Sequence, residues 1–218
     1  MKTLIINFKA YPNAFNNGVG IAEFCARSSN KDLEILVAPP ATMLRELAAI
    51  TPTIAQHVEP IPNGPHTGKI TVRELKESGA IGTILNHSEN WLGPRKLKEA
   101  VKMLKAQKLI SIACVETSFA AERILAKTKP DYVVLEPPEL IGGDVSVSVA
   151  RKSEILEFVS AAKEAGSKPL IGAGIRSRRD IEDGIEFGAE GFVVSSSIML
   201  SENYRMQIRT LAEAILRK

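Results

Sequence analysis

A lysine, a histidine and a glutamate each stand where a short apolar run of this chain ends. Thr3-Leu4-Ile5-Ile6 runs into Asn7-Phe8-Lys9, Ile81-Gly82-Thr83-Ile84-Leu85-Asn86 into His87-Ser88-Glu89, and Tyr132-Val133-Val134-Leu135 into Glu136. Lysine supplies fixed positive charge, histidine gives and takes protons near neutral pH, and a glutamate can act as a general base. Pro137 and Pro138 follow Glu136 and are expected to forbid both further ladder pairing and a helix start. Ile141-Gly142-Gly143 comes next, and helical periodicity resumes near Ser148. A carboxylate at the end of a buried strand, then a stiff hinge and a glycine-bearing loop, is the layout of a base beneath a lid. Taken singly, each residue has an ordinary explanation: an acid capping a strand, a solvated lysine, a structurally satisfied histidine. Their convergence on three strand ends carries the functional reading.

The elements that position these residues repeat. Strands are predicted over 3–6, 33–38, 53–57, 81–86, 109–115, 132–135, 169–171 and 191–194. Helices are predicted over 16–28, 42–49, 72–78, 94–106, 119–126, roughly 150–165, 179–187 and 204–217. The strands are short, continuous and apolar, as in a parallel sheet covered on both faces. Eight strand-then-helix units without linker or low-complexity tract predict one closed (β/α)8 TIM barrel domain over residues 1–218. A doubly wound open sheet is the alternative, but it usually carries a glycine-rich turn after the first strand, which here reads Asn-Phe-Lys-Ala-Tyr. In a barrel, chemistry collects where strands end and helices begin, because those loops share one face. Period-two alternation puts Asn7 and Lys9 on the same side of the first strand, towards the barrel interior or mouth.

The seventh and eighth strands end in Gly172-Ala173-Gly174 and Ser195-Ser196-Ser197. Small residues let main-chain N–H groups approach an anion, and this pair of loops is the usual phosphate cradle of such barrels. Tight packing at turns is the competing reading, and Arg176, Arg178 and Arg179 read as solvated arginines at a helix start. Neither a Cys/His spacing nor a carboxylate cluster suggests a metal, and no cofactor motif is present. A base, a histidine, an ammonium and a phosphate site together fit proton removal beside the carbonyl of a small phosphorylated substrate, with donors for the developing enediolate oxygens.

Composition narrows the rest. At 44% hydrophobic and 24% charged the chain reads as a soluble globular protein. A net charge of only +3 with interspersed signs argues against a general nucleic-acid binder. No apolar run reaches membrane-spanning length, and the first strand begins by residue 3 without a leader pattern. Cys25 and Cys114 fit reduced, buried thiols, and the expected location is the cytoplasm.

The motifs Asn7-Phe8-Lys9, Asn86-His87-Ser88-Glu89, Glu136-Pro137-Pro138-Glu139-Leu140-Ile141-Gly142 and Gly172-Ala173-Gly174-Ile175 together resemble the triosephosphate isomerase family, most of all its shorter archaeal form. Ala55-Gln56-His57-Val58 and His66-Thr67-Gly68 extend the likeness, which spans the chain in the family's order. The resemblance implies interconversion of dihydroxyacetone phosphate and D-glyceraldehyde 3-phosphate, without a cofactor. The roles come with it. Glu136 would shuttle the proton between C1 and C2, and neutral His87 would polarise the carbonyl. Lys9 would stabilise negative charge, Asn7 would orient the substrate, and Glu89 would pair with Lys9. Gly142, Gly174, Ser195 and Ser196 match the family's phosphate-binding positions. The Thr67 loop would reach a neighbouring subunit's site, which implies a homo-oligomer, either dimer or tetramer.

Several positions depart from the family pattern. Gly142-Gly143-Asp144 replaces the usual Gly-Thr-Gly, Ser195-Ser196-Ser197 stands where archaeal relatives tend to have Ala-Ser-Gly, and Arg176 stands where relatives usually carry serine. These changes bear on lid and phosphate grip and leave the acid–base set intact. Two competing readings are a different sugar-phosphate isomerase or epimerase and a barrel retained for binding without turnover.

Overall fold

The computed structural model describes residues 1–140 and 151–217. Its parallel strands are β1 (Lys2–Asn7), β2 (Leu33–Ala38), β3 (Ile54–Ala55), β4 (Gly82–Leu85), β5 (Ile110–Val115), β6 (Tyr132–Leu135), β7 (Lys168–Ile171) and β8 (Gly191–Val194). Hydrogen-bonded neighbours follow the order β2-β1-β8-β7-β6-β5-β4-β3. The last seam, between β2 and β3, is held by a single parallel bridge between Val37 and Thr53, where the Val37 N–H donates to the Pro52 carbonyl at 3.2 Å. The sheet thus closes as a (β/α)8 barrel, and the doubly wound alternative, which leaves its sheet open, is excluded.

The helices are α1 (Pro12–Ser28), α2 (Leu44–Ala48), α3 (Val72–Glu77), α4 (Gly93–Ala106), α5 (Ser118–Leu125), α6 (Lys152–Ala165), α7 (Arg178–Glu186), α8 (Ser196–Met199) and α9 (Tyr204–Leu216). Local chemistry explains their starts. Thr71 and Glu74 form a reciprocal capping box at α3, and Ser177 and Asp180 form another at α7. Prolines open α1 and α4, where a missing N–H costs nothing. In α4, Leu97, Ala100, Val101 and Leu104 recur at helical spacing and form its buried face.

Alternation along the strands sorts the core into two layers. Leu4, Ile6, Val133 and Leu135 pack outward under the helices. Ile5, Ile84, Ile112, Cys114, Tyr132, Val134 and Val193 fill the barrel interior. Continuing each inward row by two residues reaches Asn7 from Ile5 and Glu136 from Val134, so the sheet's own period aims both at the mouth. Cys25 and Cys114 are free and buried. Burial pushes the Cys25 thiol up to about 12, and desolvation followed by the adjacent Glu136 charge raises Cys114 well above the usual thiol range.

Some boundaries differ from the sequence-based expectation for identifiable reasons. The third strand shrinks to Ile54–Ala55 because Gln56 leaves the ladder to hydrogen-bond the Lys9 and Ala38 carbonyls. The first helix starts at Pro12, four residues earlier than expected, since proline is well suited to a first helical position. The expected 42–49 helix begins as a 3-10 turn, Ala41–Met43, before α2. The two prolines after Glu136 do not bar helical geometry altogether: Pro138–Leu140 is a 3-10 turn with proline at its first position. The helix expected from about residue 150 is described from Lys152, and Ser196–Met199 is a helical turn the periodicity did not reveal.

Gly191 shares the inward row with Val193, and β8 there lies so close to β1 that a Cβ at 191 would sit 2.1 Å from the Thr3 carbonyl oxygen. Gly191→Ala is therefore expected to destabilise the barrel by at least about 1–3 kcal/mol, because the obstacle is backbone and cannot rotate away. Chemical denaturation checks this, and a midpoint equal to wild type would contradict the packing argument.

Candidate active site

A cavity of about 170 Å³ opens at the carboxyl ends of the strands, and Asn7, Lys9, His87, Glu136, Gly174 and Ser195 line it. Glu89 and Ser196 line it as well, so every expected site residue within the described chain meets at one place. Gly142, with Asp144, lies outside the described residues. The volume is small beside the roughly 300–1,000 Å³ of pockets that take drug-sized ligands, which points to a small substrate.

Glu136 is only 6% exposed and His87 only 7%, so both groups are almost fully desolvated. The Glu136 N–H still donates to the Val115 carbonyl at 2.8 Å, which fixes the residue to the strand layer although the ladder formally stops at Leu135. Its carboxylate is less restrained. Oε2 is buried without a hydrogen-bond partner among the described residues and lies 3.5 Å from His87 Nε2. Space for this carboxylate depends on Gly172, where an added Cβ would fall 2.3 Å from Oε1 and 2.4 Å from Cγ.

His87 reaches the cavity against the simple alternation of β4, which would turn it outward. The switch is Asn86, whose φ of 60° lies in the left-handed region that asparagine tolerates better than most residues. The Asn86 side chain donates to the Cys114 carbonyl at 3.1 Å and accepts from the N–H groups of Leu92 and Gly93 at 3.2 Å, locking the turn. His87 Nδ1 accepts the Glu89 N–H at 3.1 Å. An acceptor at Nδ1 puts the ring proton on Nε2, the nitrogen facing Glu136 and the cavity.

Lys9 has a left-handed backbone too, with φ of 46°, a geometry that costs a lysine about 1–2 kcal/mol. Such strain persists where surroundings over-determine it. Here the Lys9 N–H donates to Asn7 Oδ1 at 3.0 Å, its carbonyl accepts from Gln56 Nε2 at 3.0 Å, and its Nζ pairs with Glu89 at 2.6 Å. Gln56 is the site residue that residue-by-residue reading missed. Its only signal in the sequence was its place in a motif shared with the family, because its partners are two backbone carbonyls from distant strand ends. At the far side, Ala173 and Gly174 take φ of 68° and 70° in succession. The N–H groups of Arg176 and Ser177 are committed to Asp180 at 3.0 and 2.8 Å, which fixes the turn leaving β7.

Gly172→Ala should displace the Glu136 side chain and lower kcat by more than about tenfold, since near-angstrom displacements of reacting groups cost rate at that scale. Steady-state kinetics with a parallel thermal melt will test it, and unchanged kcat in a folded variant would refute the dependence on Gly172.

Comparison with known proteins bears on the family and the fold. The family model for triosephosphate isomerase matches residues 2–212. The triosephosphate isomerase of Thermoplasma volcanium is 40% identical over 206 residues, covering 92% of this chain and 94% of that protein. The enzyme of Methanothermus fervidus is 36% identical over 217 residues, covering 95% and 96% respectively. In three dimensions the crystal structure of the Bartonella henselae triosephosphate isomerase superposes with a TM-score of 0.77 at 19% identity over 99% of both chains, which speaks to the fold. With the match running from the first strand into the last helix, this chain belongs to the triosephosphate isomerase family.

Proposed function

We propose that, in the isomerisation of dihydroxyacetone phosphate and D-glyceraldehyde 3-phosphate, Glu136 carries the proton between C1 and C2. The single observation that supports this most is the buried Glu136 carboxylate, with Oε2 unpartnered and 3.5 Å from His87 Nε2. A desolvated carboxylate oxygen without a hydrogen-bond partner has a lone pair ready for a carbon-bound proton. Removal of that proton leaves an enediolate. Its oxygens meet the Nε2–H of His87, which polarises the carbonyl and passes protons between the oxygens, and the ammonium of Lys9. Each such donor is worth roughly 3 kcal/mol in the transition state. Asn7 orients the substrate, and Glu89, bound to Lys9 at 2.6 Å, holds the ammonium in place until substrate enters.

The phosphate is assigned to main-chain N–H groups of Gly174, Ser195 and Ser196, with Gly142 from the segment outside the described residues. Binding energy from this remote group serves to position the reacting carbons. The chain acts as a single barrel domain over residues 1–218 and works in the cytoplasm. No described helix is long and apolar enough to cross a membrane.

The working unit is a homo-oligomer, dimer or tetramer. A second cleft of about 360 Å³ adjoins the active site, sharing Lys9, His87 and Glu89 with it and adding Ala41, Leu44 and His57. Thr67 sits exposed in the loop between β3 and α3, and we assign the cleft to the Thr67 loop of a second copy. Phe15 and Trp91, exposed at 58% and 54%, follow β1 and β4 and so stand at the same mouth end.

Turnover of glyceraldehyde 3-phosphate in D₂O tests the assignment directly. Deuterium is expected to enter at the carbon. Glu136→Asp is expected to cut kcat by about 10²-fold, because the carboxylate retreats by a methylene from the carbon acid. Near-wild-type turnover in that variant would remove Glu136 as the base. His87→Gln is expected to slow turnover by about 10²-fold or more with little change in melting temperature. A loss of stability in step with activity would instead mark His87 as structural.

A further inference from the structure

Helix α4 buries Leu97, Ala100, Val101 and Leu104 against the barrel. Its solvent side is basic. Arg95, Lys96, Lys98, Lys102 and Lys105 are exposed there, against a single exposed acid, Glu99. Arg95, Lys98, Lys102 and Lys105 recur at three- and four-residue spacing, so they form one stripe along the helix. Elsewhere exposed arginines find an acid one turn away: Arg27 pairs with Glu23, Arg73 with Glu77 and Arg179 with Asp183. None of the α4 cations makes an ion pair or a hydrogen bond among the described residues, although Glu99 stands three or four positions from Arg95, Lys96 and Lys102. The arrangement works against the helix. Neighbouring like charges repel, and Arg95 and Lys96 occupy a first turn without an acid, at the positive end of the helix dipole. A stripe that the fold disfavours and leaves unneutralised calls for an anion from outside.

We propose that the outer face of α4 docks a nucleic acid, held through its phosphate backbone without base selection. From Arg95 to Lys105 the helix rise gives a line of positive charge about 15 Å long, and a nucleic-acid backbone is a line of phosphates. A protein partner fits this face less well. Interface cores are depleted in lysine and rich in aromatic residues and methionine, and α4 presents no large exposed apolar side chain. A bilayer fits less well too, because a helix lying on a membrane inserts its apolar face, and that face of α4 is occupied by the barrel. The net charge of +3 argues against a chain basic throughout and is silent on one helix, since the balancing acids lie on other elements. None of the stripe residues lines the active-site cavity, so docking here is separate from isomerisation.

The test is fluorescence anisotropy of a labelled oligodeoxythymidine of about 20 nucleotides across a salt series. Wild type is expected to bind at low salt, with log K falling against log[salt] at a slope of roughly −3, from four phosphates at about −0.7 each. The variant Arg95→Gln/Lys98→Gln/Lys102→Gln/Lys105→Gln should bind at least about 10²-fold more weakly and lose that slope. It should turn over glyceraldehyde 3-phosphate at the wild-type rate, and its melting temperature should hold or rise as repulsion is relieved. A control that loses the same charge elsewhere, Lys31→Gln/Lys127→Gln/Lys129→Gln/Arg209→Gln, should bind the oligonucleotide as wild type does. Equal losses in the two variants would overturn the assignment to α4. No binding by wild type at low salt would overturn the proposal outright, as would binding to phosphatidylserine vesicles with none to the oligonucleotide. Should the fourfold stripe variant not fold, Lys102→Gln and Lys105→Gln singly are each expected to reduce the slope by about 0.7, and an unchanged slope in both would refute the stripe's role.

Discussion

Closing eight parallel strands on themselves divides every strand into an inward and an outward row. The inward rows fill the barrel with Ile5, Ile84, Ile112, Val134, Leu170 and Val193, leaving no room for charge at depth. A charged side chain can end such a row only at the mouth, where the ladder stops. Glu136 lies two residues beyond Val134 and Asn7 two beyond Ile5, so the packing that makes the core insoluble in water also delivers polar groups to one opening. The barrel is closed across β2 and β3 by a single bridge, Val37 to Thr53, and the convergence of the strand ends depends on that closure.

Electrostatics at the mouth is arranged by desolvation and shared partners. Burying a carboxylate beside a neutral imidazole is costly unless a cation opposes its charge. Lys9 supplies the opposing charge while being held by Glu89, itself more than half exposed. The arrangement keeps a cation next to the cavity and lets water screen only the outer half of its ion pair. Cys114 lies beneath Glu136 as a thiol whose ionisation is suppressed, first by burial and then by the carboxylate, so it adds no second negative charge under the base.

Strain is concentrated at the same strand ends. Lys9, Asn86 and Ala173 are three of the four non-glycine residues with positive φ in the described chain, and each lies within two residues of a strand terminus at the mouth. Each turns a side chain or a main-chain N–H in a direction the strand would not give. Hydrogen bonds donated by Gln56 and accepted by the side chains of Asn86 and Asp180 hold these turns, which is where the stability of the barrel offsets the local cost of the site.

Much of this was legible from the residues. Short apolar runs followed by amphipathic helices fixed the eight-unit count, because burial on both faces of a parallel strand demands continuous hydrophobicity. The same runs marked Lys9, His87 and Glu136 as strand-end residues, and alternation along the first strand sufficed to aim Asn7, whereas Lys9 reaches the mouth through a left-handed turn that alternation does not describe. What the sequence could not carry were features set by contacts between distant segments. The inward turn of His87 depends on the left-handed Asn86, whose side chain ties Cys114, Leu92 and Gly93 together. Gln56 leaves a strand early for two carbonyls, and Gly172 is needed because Glu136 occupies the space of its missing Cβ. Periodicity reports which face of an element is buried. Only the closed barrel decides which atoms from separate strands come within hydrogen-bonding distance, because those distances depend on register and strand-end turns that no local pattern encodes.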